Sequence, residues 1–141
     1  MIGALIVTHG KLATELLNAA RQIEADVSNI EAVSLEWNDT VDAAREKIGE
    51  ALRRVGADRD VIIFTDMFGG TPSNISLSFL EEGRVEIITG VNLPMIVKFG
   101  TLQQEATDVA TLAHTISEKG SKAIRVASDL LAAERRAGVQ G

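Results

Sequence analysis

The chain has 141 residues and a formal net charge of −6, with 45% apolar but only 4% aromatic residues. This length predicts a single domain, and its core must be aliphatic. An acidic balance without a basic block argues against a nucleic-acid-binding protein, which needs clustered lysine and arginine. The lack of cysteine excludes a thiol nucleophile, a disulfide and a thiolate metal site, and is compatible with a reducing cytoplasm.

We do not expect the apolar start of the chain to be a targeting segment. Residues 1–7 lack a basic leader and are too short for a signal peptide. No apolar run approaches the roughly 20 residues of a membrane-spanning helix. We therefore expect a cytoplasmic protein without direct membrane insertion, so that any membrane role would act through a partner.

Strand-like and helix-like segments alternate along the chain. A continuous apolar run predicts a strand at 2–7. Further strands are expected at 30–35, where the pattern is weaker, and at 61–65 and 85–89. Apolar residues at helical spacing predict helices near 11–25, 41–55 and 103–118, with shorter helical stretches at 72–82, 95–100 and 128–136. A break is expected at 119–121, followed by a short strand at 123–126.

This alternation predicts an α/β fold, a doubly wound sheet of four parallel strands with helices on both faces. Ligands in such sheets bind at the carboxyl ends of the strands, where the strand order reverses. In the order 2-1-3-4 the reversal lies between the first and third strands. Because His9 ends the first strand and Asp66 follows the third, we expect these two side chains to meet.

A tight turn and a helix start follow Asp66. Two glycines, Gly69 and Gly70, allow the turn, and Thr71 is a good N-cap because its hydroxyl can accept from free amides of the first turn. Pro72 then suits the first helical position. Free N–H groups and the positive end of the helix dipole favour an anion here.

Together these residues predict phosphoryl transfer through a phosphohistidine. A neutral imidazole nitrogen is a good nucleophile near neutral pH, so His9 is the predicted nucleophile. Asp66 would fix the tautomer of the ring and stabilise it when it becomes cationic. Gly70 and Thr71 would neutralise the incoming phosphoryl group.

Plainer interpretations exist for each residue. His9 could be a polar loop residue, Asp66 a turn residue, and a Gly-Gly pair occurs in many turns. The whole chain could then be a passive anion- or nucleotide-binding module, although it has no nucleotide-binding glycine fingerprint. His114 is expected to be solvated, and Trp37 to lie at the core edge or an interface. We expect no cofactor and no metal site.

Three motifs, each directly after a predicted strand, resemble one family. They are Thr8-His9-Gly10, the run from Asp66 to Asn74 (DMFGGTPSN), and the run from Gly90 to Met95 (GVNLPM). The family is the mannose-type enzyme IIA component of the bacterial phosphoenolpyruvate-dependent sugar phosphotransferase system (PTS). The resemblance covers residues 1–126 and leaves 127–141 as a C-terminal extension.

The resemblance implies roles that the residues alone do not give. His9 would accept a phosphoryl group from the carrier protein HPr on Nε2 and pass it to an enzyme IIB, with Asp66 on the other ring nitrogen. Thr71 stands where the family often has serine and would contact the phosphoryl group. The family fold adds a fifth, antiparallel strand, which homodimers exchange. That strand maps to Ala123, Ile124, Arg125 and Val126.

The resemblance leaves the biological context open. It is compatible with sugar uptake and with a purely regulatory PTS relay. It identifies neither the sugar nor the particular enzyme IIB.

Overall fold

A computed structural model describes residues 1–140, with side chains up to residue 138. Its sheet contains β1 (Gly3–His9), β2 (Ile30–Leu35), β3 (Val61–Thr65) and β4 (Val85–Thr89). All three strand pairs are parallel, and the order is β2-β1-β3-β4. The structure thus confirms the predicted parallel sheet and its 2-1-3-4 order.

The helices lie between and after these strands. They are α1 (Leu12–Ile23), α2 (Val41–Val55), α3 (Thr71–Leu77), α4 (Leu93–Leu102), α5 (Val109–Lys122) and α6 (Ala127–Gln140). Within the described range, no helix is long and apolar enough to cross a membrane.

Apolar layers cover both faces of the sheet. Ile6 and Phe64 point to one layer, which is completed by α1, α4 and α5, and Phe64 meets Phe99 edge to face at 6.1 Å. Leu5 and Ile63 point to the other layer, which is completed mainly by α2. Burial on both faces explains why the central strands are apolar at nearly every position. Packing on both faces of the sheet therefore holds the ends of the central strands in place.

The structure breaks the predicted helix at 103–118. Gln103 is fully buried after the end of α4, and its Nε2 donates to the Asp26 carbonyl at 3.0 Å and to Ser28 Oγ at 2.8 Å. Asp108 then caps α5, accepting from the Thr111 N–H at 3.2 Å. These contacts stop one helix and start another where side-chain spacing alone predicts continuity.

The predicted break at 119–121 is wrong, because α5 continues to Lys122. Gly120 lies in the contact between α5 and α4, where its carbonyl accepts from Asn92 Nδ2 at 2.9 Å. A Cβ at this position would lie 2.5 Å from Met95 Cγ. This glycine therefore permits close helix packing and does not end the helix.

We expect Gly120→Ala to lower the free energy of unfolding by about 1–3 kcal/mol, the usual cost of overpacking. Urea denaturation measures this change. Gly138→Ala is the matched control, because a Cβ there would meet nothing within 4 Å. Equal stability of Gly120→Ala and the wild type would contradict the packing role of Gly120.

The predicted fifth, antiparallel strand at 123–126 is not found in the described part of this single chain. Residues 123–126 instead connect α5 to α6 and are exposed, Ile124 at 76% and Val126 at 63%. A strand needs a neighbour to receive its backbone hydrogen bonds, and these residues lie outside the sheet formed by one chain.

Candidate active site

The register of the sheet brings the predicted site residues to one edge. Val7 of β1 pairs with Thr65 of β3, and both strands run in the same direction. The residues that follow these partners therefore emerge side by side. His9 is the last residue of β1, and Asp66 comes directly after β3.

Asp66 binds His9 in two places, as the topology predicts. Its Oδ2 accepts the backbone N–H of His9 at 2.9 Å and lies 2.7 Å from His9 Nδ1. Its Oδ1 accepts the backbone N–H of Met67 at 3.0 Å. Because an ionised carboxylate can only accept, a neutral His9 ring in this contact carries its proton on Nδ1 and keeps the in-plane lone pair of Nε2.

Both side chains are only partly accessible, the imidazole at 25% and the carboxylate at 10%. Partial burial protects their hydrogen bond from water while leaving one edge of the ring open. A histidine held this way can act as a nucleophile through Nε2, with the carboxylate stabilising the cationic ring that results.

Gly70 lies against the open edge of the imidazole. A Cβ at this position would lie 3.0 Å from His9 Cε1 and 3.6 Å from His9 Nε2. The turn that brings the backbone so close contains Gly69 at a φ of +87°, a conformation that favours glycine. The Gly-Gly pair thus lets the main chain approach the ring.

We expect Gly70→Ala to reduce the rate of any reaction at His9 Nε2, because the methyl group would push the ring by a few tenths of an ångström. The loss should stay below the roughly 10²-fold attributed to a misplacement of 1 Å. Stopped-flow kinetics of that reaction measure the loss. Gly10→Ala is not a suitable control, since Gly10 has a φ of +55°, so Gly138→Ala serves again. An unchanged rate would show that the ring tolerates the methyl group.

The start of α3 differs from the prediction by one residue. Gly70 is the N-cap, with φ −81° and ψ 168°, and Thr71 is the first helical residue rather than the cap. Pro72 is consequently the second. Extended backbone at Gly70 takes the cap position, and the α3 cap has no side-chain hydrogen bond. Thr71 and Pro72 still line a small pocket together with His9.

Trp37 is the residue at this site whose role the sequence did not reveal. Its indole stacks on the His9 imidazole, with ring centroids 5.0 Å apart and planes inclined by 24°. It also lines the small pocket, although its side chain is 83% exposed. The sequence feature that could have identified it is its position two residues after β2, at the same edge of the sheet.

Other candidate positions lie away from His9. His114 is exposed on α5, as expected. A larger cavity of about 410 Å³ lies between the end of α4 and α5, and His9 and Asp66 are not among its lining residues. Within the part of the chain that the structure describes, His, Cys, Asp and Glu form no group of three or more suited to a metal ion.

Comparison with known proteins places this geometry in a family. The family model EIIA-man, described as "PTS system fructose IIA component", matches residues 3–117. The fructose-specific EIIA component of Bacillus subtilis (strain 168) is 27% identical over 132 residues, which cover 93% of this chain and 90% of that protein. The mannose-specific EIIAB component of Escherichia coli (strain K12) is 28% identical over 130 residues, covering 88% of this chain and 40% of that protein.

Solved structures show the same fold. A phosphotransferase system component EIIA from Streptococcus agalactiae has a TM-score of 0.80 at 22% identity, covering 92% of this chain and 99% of that one. A mannose/sorbose-specific IIA subunit from Enterococcus faecalis has a TM-score of 0.79 at 22% identity, covering 88% and 92%. With the match over residues 3–117, the chain belongs to the mannose-type EIIA family, the phosphotransfer components of the sugar phosphotransferase system.

Proposed function

We propose that His9 is the phosphorylated residue and that it relays a phosphoryl group from phospho-HPr to an enzyme IIB. The observation that carries this proposal is the contact between Asp66 Oδ2 and His9 Nδ1 at 2.7 Å, which leaves Nε2 as the free nucleophile. Family membership supports the kind of reaction, and the contact supports Nε2 as the reacting atom.

In the proposed reaction, the Nε2 lone pair forms a bond to phosphorus. The bond between phosphorus and the donor breaks, and its electron pair leaves with the donor. Nδ1 keeps its proton, so the ring becomes cationic, and the Asp66 carboxylate stabilises that charge. Gly70 and Thr71, at the start of α3, are the groups we assign to the phosphoryl oxygens.

The assay combines the wild-type protein with phosphoenolpyruvate, enzyme I and HPr, and reads its intact mass. We expect the gain of one phosphoryl group, and its loss when a cognate enzyme IIB is added. A control reaction without HPr should leave the mass unchanged. Failure to gain the group, while a known acceptor gains it, would overturn the proposed relay and favour a passive anion-binding module.

We also propose that two copies exchange the segment at 123–126. In the described chain β4 is an edge strand of the sheet, and β3 is its only neighbouring strand. Val85 at its start exchanges backbone hydrogen bonds with Glu81, so a further strand would pair with the remainder of the outer edge of β4. A groove follows this edge between β4 and α5. Ile124 and Val126 are exposed apolar residues two positions apart, so they would lie on one face of a strand.

We expect the wild type to be a dimer by light scattering and Ile124→Pro to shift it toward monomer. Proline removes a backbone donor that the exchanged strand would use. Ile124→Thr is the matched control, because it also removes the isoleucine but keeps the N–H and a high strand propensity. A monomeric wild type, or an Ile124→Pro variant that remains fully dimeric, would contradict the exchange.

A further inference from the structure

The imidazole of His9 is constrained from three directions, and two of them follow from the proposed reaction. Asp66 binds the Nδ1 edge, and Gly70 lies against the Cε1 and Nε2 edge. The third contact is the indole of Trp37, which covers a face of the ring at a centroid distance of 5.0 Å. A contact on the face cannot hydrogen-bond to the ring or block its in-plane lone pair, so it needs a separate explanation.

The backbone beside Trp37 is held by a compact turn. The Asp39 carboxylate accepts from the Glu36 N–H at 2.8 Å and from Lys47 Nζ at 2.6 Å, and the Asp39 N–H donates to the Glu36 carbonyl at 3.1 Å. The hydrogen bond from Lys47 holds the pKa of the Asp39 carboxyl below its usual value, so the carboxylate stays ionised at neutral pH. The indole is therefore presented to His9 by an ordered turn.

We propose that Trp37 is a positioning residue that stabilises the phosphorylated, cationic form of His9 and so sets the phosphoryl-transfer potential of this protein. This inference rests on the proposed function of His9. An indole face carries negative electrostatic potential and attracts a cation placed over it. The same face interacts more weakly with a neutral ring.

The charge of the imidazole changes when His9 is phosphorylated. When Nε2 takes the phosphoryl group, the donor leaves with the electron pair of the broken bond and Nδ1 retains its proton. The imidazole that stacks on the indole therefore gains a positive charge. Stabilising this product relative to the free protein shifts the equilibrium of the transfer toward phospho-His9.

An equilibrium constant separates this role from simple partner docking. The transfer between phospho-HPr and His9 begins and ends with separated proteins, so contacts that exist only in the complex cancel. A residue that only docks HPr changes the rates in both directions equally. A residue that stabilises phospho-His9 changes the equilibrium constant.

The experiment measures that constant from both directions, by intact mass, in dilute mixtures of HPr and this protein. We expect Trp37→Leu to shift it about two- to fivefold toward phospho-HPr, the range for a cation near an exposed aromatic ring. The equilibrium constant of Trp37→Phe should lie close to that of the wild type, because phenylalanine keeps an aromatic face at this position. Phe68→Leu, which removes a similarly exposed aromatic residue, should leave the constant unchanged.

A second measurement detects the stacking of Trp37 on His9 and does not require phosphoryl transfer. The chain has only two histidines, so the imidazole C–H signals of His9 and His114 can be followed separately by NMR. Loss of the indole ring current in Trp37→Leu should move the His9 signals downfield and leave those of His114 in place. Unmoved His9 signals would overturn the stack and the inference with it.

The two measurements also separate a failure of this inference from a failure of the proposed function on which it rests. Equal equilibrium constants for wild type and Trp37→Leu, with phosphorylation intact, would overturn the inference alone. A Trp37→Leu variant that changes only the rates of transfer would also overturn the inference alone. No phosphorylation of the wild type would overturn both, even if the NMR signals move as expected.

Discussion

Replacing His9 with alanine is expected to abolish phosphoryl uptake from phospho-HPr while leaving the fold intact. The variant loses Nε2, the nucleophile of the proposed reaction. The fold should survive because residue 9 keeps its backbone N–H, which donates to Asp66 Oδ2, and Met67 still donates to Oδ1. Intact mass measures the uptake, and circular dichroism with thermal unfolding checks the fold.

His114→Ala is the matched control for this variant. It removes the other histidine of the chain, which is exposed on α5 and lines a different pocket from His9. We expect it to be phosphorylated as fully as the wild type. Uptake by a folded His9→Ala variant, or its loss in His114→Ala, would refute the assignment of His9.

Asp66→Asn should have the second largest effect, a loss in phosphorylation rate on the order of 10⁴-fold, as for the equivalent change in the serine-protease triad. An amide nitrogen in the place of Oδ2 can no longer accept the backbone N–H of His9, and it can donate to Nδ1. The ring would then carry its proton on Nε2, which removes the nucleophilic lone pair. Single-turnover kinetics with phospho-HPr measure the rate.

Asp60→Asn provides a control at the other end of the same strand. Asp60 precedes β3 and pairs with Arg84 at 3.7 Å in a partly exposed ion pair, which should contribute little to stability. We expect it to retain the wild-type rate. If Asp66→Asn were equally fast, the carboxylate would not control the ring tautomer.

The meeting of His9 and Asp66 could be predicted because it depends on strong, local signals. The buried parallel strands are continuous apolar runs, so β1 and β3 stand out in the sequence. Parallel strands connected by helices allow few topologies, and the order 2-1-3-4 places their ends side by side. The polar residue at each end is then fixed in space.

The features that sequence analysis missed depend on contacts between distant segments. Gln103 ends α4 through bonds to residues 26 and 28, which helical spacing around position 103 does not reveal. Gly120 resembles a helix terminator in sequence, yet it serves close packing against Met95. Trp37 stacks on His9 only because β2 lies next to β1.

The most direct measurement is NMR of the phosphorylated protein labelled with nitrogen-15 in its imidazole rings. Coupling between phosphorus and a ring nitrogen identifies both the residue and the atom that carry the group. The proposed function predicts a single phosphoryl group on Nε2 of His9, with the proton retained on Nδ1 beside Asp66. A group on Nδ1 of His9, on His114 or on a residue other than histidine would contradict it.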